Sequence, residues 1–154
     1  MQIKELGHVV LYVTDLERSR HFYRDHLGFR ETGSSLVNFQ GRKGGAVAFS
    51  SGRTHHELLL IEVGGQPREK TAPEPGLYHI GFKVGDSSAE LKKVYQELKA
   101  SEVPIIGTSD HTVTQGIYIL DPDGNTLELY VDVSDTWREK PELIFAPTGP
   151  LNLE

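Results

Sequence analysis

Two stretches of this chain alternate apolar and polar residues and then switch to helical spacing, in the same order each time. Gly7-His8-Val9-Val10-Leu11-Tyr12-Val13 reads as a strand with Val9, Leu11 and Val13 on one side and His8, Val10 and Tyr12 on the other. Thr14-Asp15-Leu16-Glu17 then has capping-box spacing, which predicts a helix with Leu16, Phe22, Tyr23 and Leu27 on its apolar side and Gly28 as its stop. The pattern returns 71 positions later. Tyr78-His79-Ile80-Gly81-Phe82-Lys83-Val84 sets Ile80, Phe82 and Val84 against His79, Gly81 and Lys83. Ser87-Ser88-Ala89-Glu90 is the second capping box, with Leu91, Val94, Tyr95 and Leu98 as the apolar stripe.

Extended segments follow each expected helix, separated by turn residues: Phe29 to Gly33, Gly45 to Ser50 and His56 to Val63, then Pro104 to Thr108, Thr114 to Leu120 and Thr126 to Val131. Each half therefore reads βαβββ, and the Gly- and Pro-rich stretch from Gly64 to Pro75 is the natural linker. The expected fold class is α+β. Two tandem βαβββ modules form a curved, cup-like mixed sheet with helices on the outside, all in one domain. The first module covers residues 1–64, the linker 65–75, the second module 76–133 and a tail 134–154.

The face left uncovered by the helices carries the candidate chemistry. In the last strand Leu127, Leu129 and Val131 oppose Thr126, Glu128 and Tyr130, so His8, His79 and Glu128 all fall on the uncovered side. If the sheets join, the three converge in the concavity. Two imidazoles and one carboxylate from three strands make a facial set with open coordination positions, suited to Fe(II) and used by other divalent ions. Equivalent placement of His8 and His79 in the two modules strengthens the reading. A turn centred on Asp123 also pairs Tyr118 with Glu128 on one face, bringing a phenol to the carboxylate.

Composition narrows the field. The 154 residues suffice for a buried core, and the absence of cysteine excludes disulfides, thiolate metal sites and a cysteine nucleophile. A formal charge of −6 without a basic stripe argues against nucleic acid. No membrane-length apolar run or leader-like start is present, and the expectation is a cytoplasmic protein. Gly41 to Gly45 carries no phosphate-loop lysine with a following Ser or Thr at the required spacing, and no Gly-x-Ser-x-Gly elbow occurs. His21 and His26 sit among charged helix residues and read as a solvated face.

The run His111, Ile117-Tyr118, Asp121-Pro122-Asp123-Gly124 and Glu128 resembles the signature of type I extradiol ring-cleavage dioxygenases, and the whole chain resembles the vicinal oxygen chelate superfamily of paired βαβββ modules. Ser109 stands where that signature usually has Gly, Asn, Thr, Ile or Val. Many family members carry an additional two-module domain, so the resemblance is to a single-domain form. The tail from Trp137 to Leu153 also resembles those of related catechol dioxygenases. The resemblance implies His8, His79 and Glu128 as ligands of Fe(II), with Mn(II) or another divalent ion as the variant. His56, the second histidine of Thr54-His55-His56-Glu57, would handle protons and oxygen. His111 would contact the substrate's hydroxyl region, and Tyr118 would hydrogen-bond the coordinated hydroxyl. The implied partners are a small aromatic diol and O2, and the exposed sheet edges favour a homodimer. The carboxylates of Asp121-Pro122-Asp123-Gly124 are expected to shape a turn and to take no catalytic part.

Two rivals remain open. A glyoxalase-type lyase or isomerase of the same superfamily needs a fourth ligand, for which Glu62 shares strand parity with His56. A metal-free drug-binding module of the bleomycin-resistance type would need none of the aligned ligands.

Overall fold

The computed structural model describes residues 1–39, 41–67, 73 and 75–154. They group into two compact units, Met1–Lys70 with Pro122–Gly124, and Thr71–Asp121 with Asn125–Glu154. Of the expected linker, residues 68–72 and 74 lie outside the described residues.

The first unit runs β1 (Val9–Val13), α1 (Leu16–His21), β2 (Arg30–Phe39), β3 (Arg42–Ser50) and β4 (Leu58–Glu62). The second runs β5 (His79–Gly85), α2 (Ser88–Ala100), β6 (Ile105–Asp110), β7 (Thr114–Leu120) and β8 (Thr126–Asp132). Both modules are thus βαβββ. Strand pairing resolves as two four-stranded mixed sheets, ordered β1-β4-β3-β2 and β5-β8-β7-β6, in which the first pair is parallel and the others antiparallel. Alternation sets the burial: Leu11, Val13, Leu58 and Leu60 enter the first core while Val10 and Tyr12 are exposed, and Leu127, Leu129 and Val131 enter the second.

Two features of α1 differ from the sequence expectation. Asp15, not Thr14, is the N-cap, its side chain accepting from the Arg18 N–H; Thr14 is held elsewhere. The helix also widens to a π-helical segment, Phe22–His26, closed by the Leu27 N–H donating to the Phe22 carbonyl. Phe22 and Tyr23, adjacent at the start of this segment, are both buried, as expected for the apolar side of the helix. Helix α2 starts as expected: Ser87 Oγ accepts from the Glu90 N–H, and the Glu90 carboxylate accepts from the Asp86 N–H and the Ser87 hydroxyl.

Strands β2 and β3 are longer than expected. Ser34-Ser35 and Gly44-Gly45 resemble turn residues but are extended and paired, with one irregularity between Glu31 and Gly33. Close approach explains the two glycines. A Cβ at Gly44 would lie 2.4 Å from the Glu62 carbonyl oxygen, and one at Gly45 2.5 Å from Leu16 Cδ2. Strand β4 in turn begins at Leu58, leaving His55 and His56 in the preceding loop. The tail forms 3-10 turns at Thr136–Arg138 and Pro141–Phe145 and ends with Leu153 buried. Among the described residues no helix is long and apolar enough to cross a membrane.

Candidate metal centre

Second-unit strands bring four of the expected side chains together. The β7–β8 register pairs Tyr118 with Glu128, and the parallel β5–β8 register sets Gly81 beside Glu128 and His79 beside Thr126. All project from the face opposite Leu127 and Leu129. His79 Nε2 lies 3.2 Å from Glu128 Oε2. The Tyr118 hydroxyl donates to Glu128 Oε1 at 3.0 Å, and His111 Nε2 lies 3.1 Å from the Tyr118 oxygen. Since the phenol's single proton goes to Glu128, His111 Nε2 is assigned as donor to the phenol oxygen. Burial, then the Glu128 charge and hydrogen bond, push the Tyr118 phenol well above its ordinary pKa, so it keeps its proton.

The pair His79 and Glu128 suits a divalent ion. Metal bonds to imidazole nitrogen and carboxylate oxygen run about 2.0–2.2 Å, so ligands at right angles lie roughly 3 Å apart, close to the observed separation. Among the described residues, His79 Nδ1 is buried without a hydrogen-bond partner, while Nε2 turns toward the Glu128 carboxylate. Space is reserved too: a Cβ at Gly116 would fall 2.6 Å from Glu128 Oε1. Among the described residues, no three His, Asp or Glu side chains form a complete metal-binding group.

His8, exposed just before β1 in the first unit, packs its ring against His56, with centroids 4.5 Å apart. His55 Nδ1 and His56 Nδ1 are 2.5 Å apart. Desolvation, with His55 and His8 adding to it, holds the His56 pKa below the ordinary imidazole value. Glu62 faces the helix side: its Oε1 accepts from the Leu16 N–H at 3.2 Å. On the opposite face, in register with Val10 and Tyr12, β4 presents Leu59 and Ile61. The carboxylate considered as a fourth ligand is therefore engaged at the start of α1.

Sequence reasoning treated Asp123 as turn chemistry alone. The carboxylate is buried in the first unit, accepting from the Thr14 N–H and hydroxyl, the Ser19 hydroxyl and the Arg18 guanidinium. Asp121 does shape the turn, accepting from the Asn125 backbone and side chain. Gly116 and Asp110 were also missed as supports of the site. Gly116 shares strand parity with Tyr118, and that was the available signal.

A family model described as the glyoxalase/bleomycin resistance protein/dioxygenase superfamily matches residues 5–129. Catechol-2,3-dioxygenase of Bacillus subtilis is 31% identical over 141 residues, covering 89% of this chain and 45% of that protein. The uncharacterized protein YwkD of the same organism is 31% identical over 133 residues, covering 84% of this chain and 98% of YwkD. The chain thus spans under half the length of the first relative and nearly all of the second. Among solved structures, the fosfomycin resistance protein FosX from Listeria monocytogenes, complexed with Mn(II) and sulfate, aligns with a TM-score of 0.64. It covers 86% of this chain and 95% of its own at 21% identity, a likeness of fold. The module repeat, strand order and matched family model together make this chain a member of the glyoxalase/bleomycin resistance protein/dioxygenase superfamily.

Proposed function

We propose that the protein is a non-haem Fe(II)-dependent extradiol dioxygenase that opens a catechol-type ring with both atoms of O2. The observation that carries this reading is the hydrogen-bonded series His111, Tyr118 and Glu128, with His79 beside the same carboxylate. A four-ligand lyase leaves His111 and Tyr118 without work, and its fourth carboxylate is engaged by α1. Similarity to catechol-2,3-dioxygenase supports the substrate class, although the chain spans only part of that relative.

In this reading His79 and Glu128 hold the metal, with His8 as the third ligand; Mn(II) is the alternative ion. When bound, the metal supplies a point where diol and O2 meet and electrons pass from one to the other. The residues do the positioning and proton handling. Tyr118, kept protonated, donates its single proton to Glu128 and offers its oxygen as acceptor to a substrate hydroxyl there. His111, beside the same phenol, contacts the hydroxyl region of the diol. His56, with its depressed pKa, is neutral near pH 7 and free to accept a proton from the diol.

The test is anaerobic loading with Fe(II), then O2 with a panel of simple and aryl-substituted catechols, following oxygen uptake and yellow ring-fission product together. Stoichiometric uptake with product, lost in His79→Ala and Glu128→Ala, is expected. Full iron occupancy without turnover on any catechol would overturn the ring-cleavage assignment. Failure of both the wild type and a Mn(II)-loaded sample to bind metal would overturn the centre itself.

A further inference from the structure

Strand β6 is an edge of the second sheet, and the end of the chain closes it opposite the candidate site residue His111. Asp110 and Gly149 exchange both backbone hydrogen bonds, at 3.0 and 2.8 Å. The Thr108 hydroxyl donates to the Leu151 carbonyl at 2.9 Å, and Leu153 is buried beyond it. Lys92 and Lys99 both reach Glu154. The Asp110 backbone is therefore fixed from outside the sheet.

Its side chain acts in the other direction. Asp110 Oδ1 accepts from the Thr112 N–H and Oδ2 from Gln115 Nε2, both at 2.8 Å. Thr112 has φ 72, a left-handed conformation that strains a β-branched residue and needs surrounding bonds to persist. The His111 N–H donates to the Thr114 carbonyl and the Val113 N–H to the His111 carbonyl, each at 2.8 Å. His111 thus rides on a strained turn whose only side-chain tether, among the described residues, is Asp110.

We propose that Asp110, clamped by Gly149, is a positioning residue that holds the His111 imidazole against the Tyr118 phenol. The inference rests on the proposed role of His111 in diol binding, but the positioning itself has a separate readout. In the metal-free protein, NMR cross-relaxation between the His111 and Tyr118 rings reports the contact without any turnover. Asp110→Ala should abolish that signal. Asp110→Asn should retain it, because Gln115 can rotate its amide and offer Oε1, buried and without a partner among the described residues, to the new amide. With metal bound, 4-nitrocatechol affinity should fall on the order of 10–100-fold in Asp110→Ala, as expected for a group displaced by about an ångström. The double variant with His111→Ala should bind no more weakly than His111→Ala alone, since a residue acting through another shows no independent cost.

Retention of the ring contact in Asp110→Ala, or additive losses in the double variant, would overturn the proposal. Should Asp110→Ala fail to fold, Gln115→Ala removes one tether and must weaken the same cross-relaxation signal. Loss of ring contact in a protein that cleaves no catechol would sustain the positioning role while removing the dioxygenase reading.

Discussion

An added Cβ at Gly116 would meet Glu128 Oε1 at 2.6 Å, closer than side-chain atoms can pack, and its Cγ at a tight 3.1 Å. Glu128 is only slightly exposed and already accepts the Tyr118 proton, so a methyl there must push the carboxylate away from His79. Gly116→Ala is therefore expected to weaken Mn(II) binding about 10–100-fold, the range found when a ligand's support is removed. Gly107→Ala is the control: its Cβ would sit 4.0 Å from Tyr118 Cδ2, an ordinary contact, and binding should be unchanged. Calorimetric titration of the metal-free protein measures both, and equal affinities across the set would refute the clearance argument. At this scale, His79, Glu128 and Tyr118 were readable because strand parity and a turn of known centre fix which side chains oppose. The hold on His111 was not, since it depends on Gly149 pairing with Asp110 from 39 positions away.

Helices α1 and α2 begin with similar sequences and are anchored by different means. At α2 the donors are satisfied locally, by Ser87 and Glu90. At α1 the box is dismantled: Glu17 pairs with Arg20, Glu62 takes the Leu16 N–H, and Asp123 takes Thr14. A capping box is a local signal, and it fails where distant carboxylates compete for the same donors. Asp123 accepts from Thr14 Oγ1 at 2.5 Å and from the fully buried Ser19 hydroxyl at 3.3 Å. Asp123→Ala leaves these donors without their acceptor and should cost about 2 kcal/mol, read as a lower urea midpoint. The half-exposed Arg18 partner contributes little to that figure. Asp123→Asn keeps an acceptor and should lose less; an unaltered midpoint in the alanine variant would remove Asp123 from the account of α1.

Across the whole molecule, the repeat made the βαβββ modules and their strand order legible, because period-two and helical patterns recur with the same sequence of elements. The lengths of β2 and β3 were hidden by glycines that serve close packing beneath Leu16 and beside Glu62 and form no turn. The metal reading makes a prediction at this scale. A ligand that binds only the folded protein stabilises it by about 2.7 kcal/mol at a hundredfold excess over Kd. For a chain of this size each kcal/mol moves Tm by roughly 2–4 °C. Saturating Mn(II) should therefore raise Tm by about 5–10 °C, and chelator should reverse the gain. His79→Ala and Glu128→Gln should abolish the shift, because each removes a donor from the pair 3.2 Å apart. Glu62→Gln should retain it, since that carboxylate serves the Leu16 N–H at the start of α1. A shift lost in Glu62→Gln and kept in Glu128→Gln would move the centre to the other carboxylate and revive four-ligand chemistry.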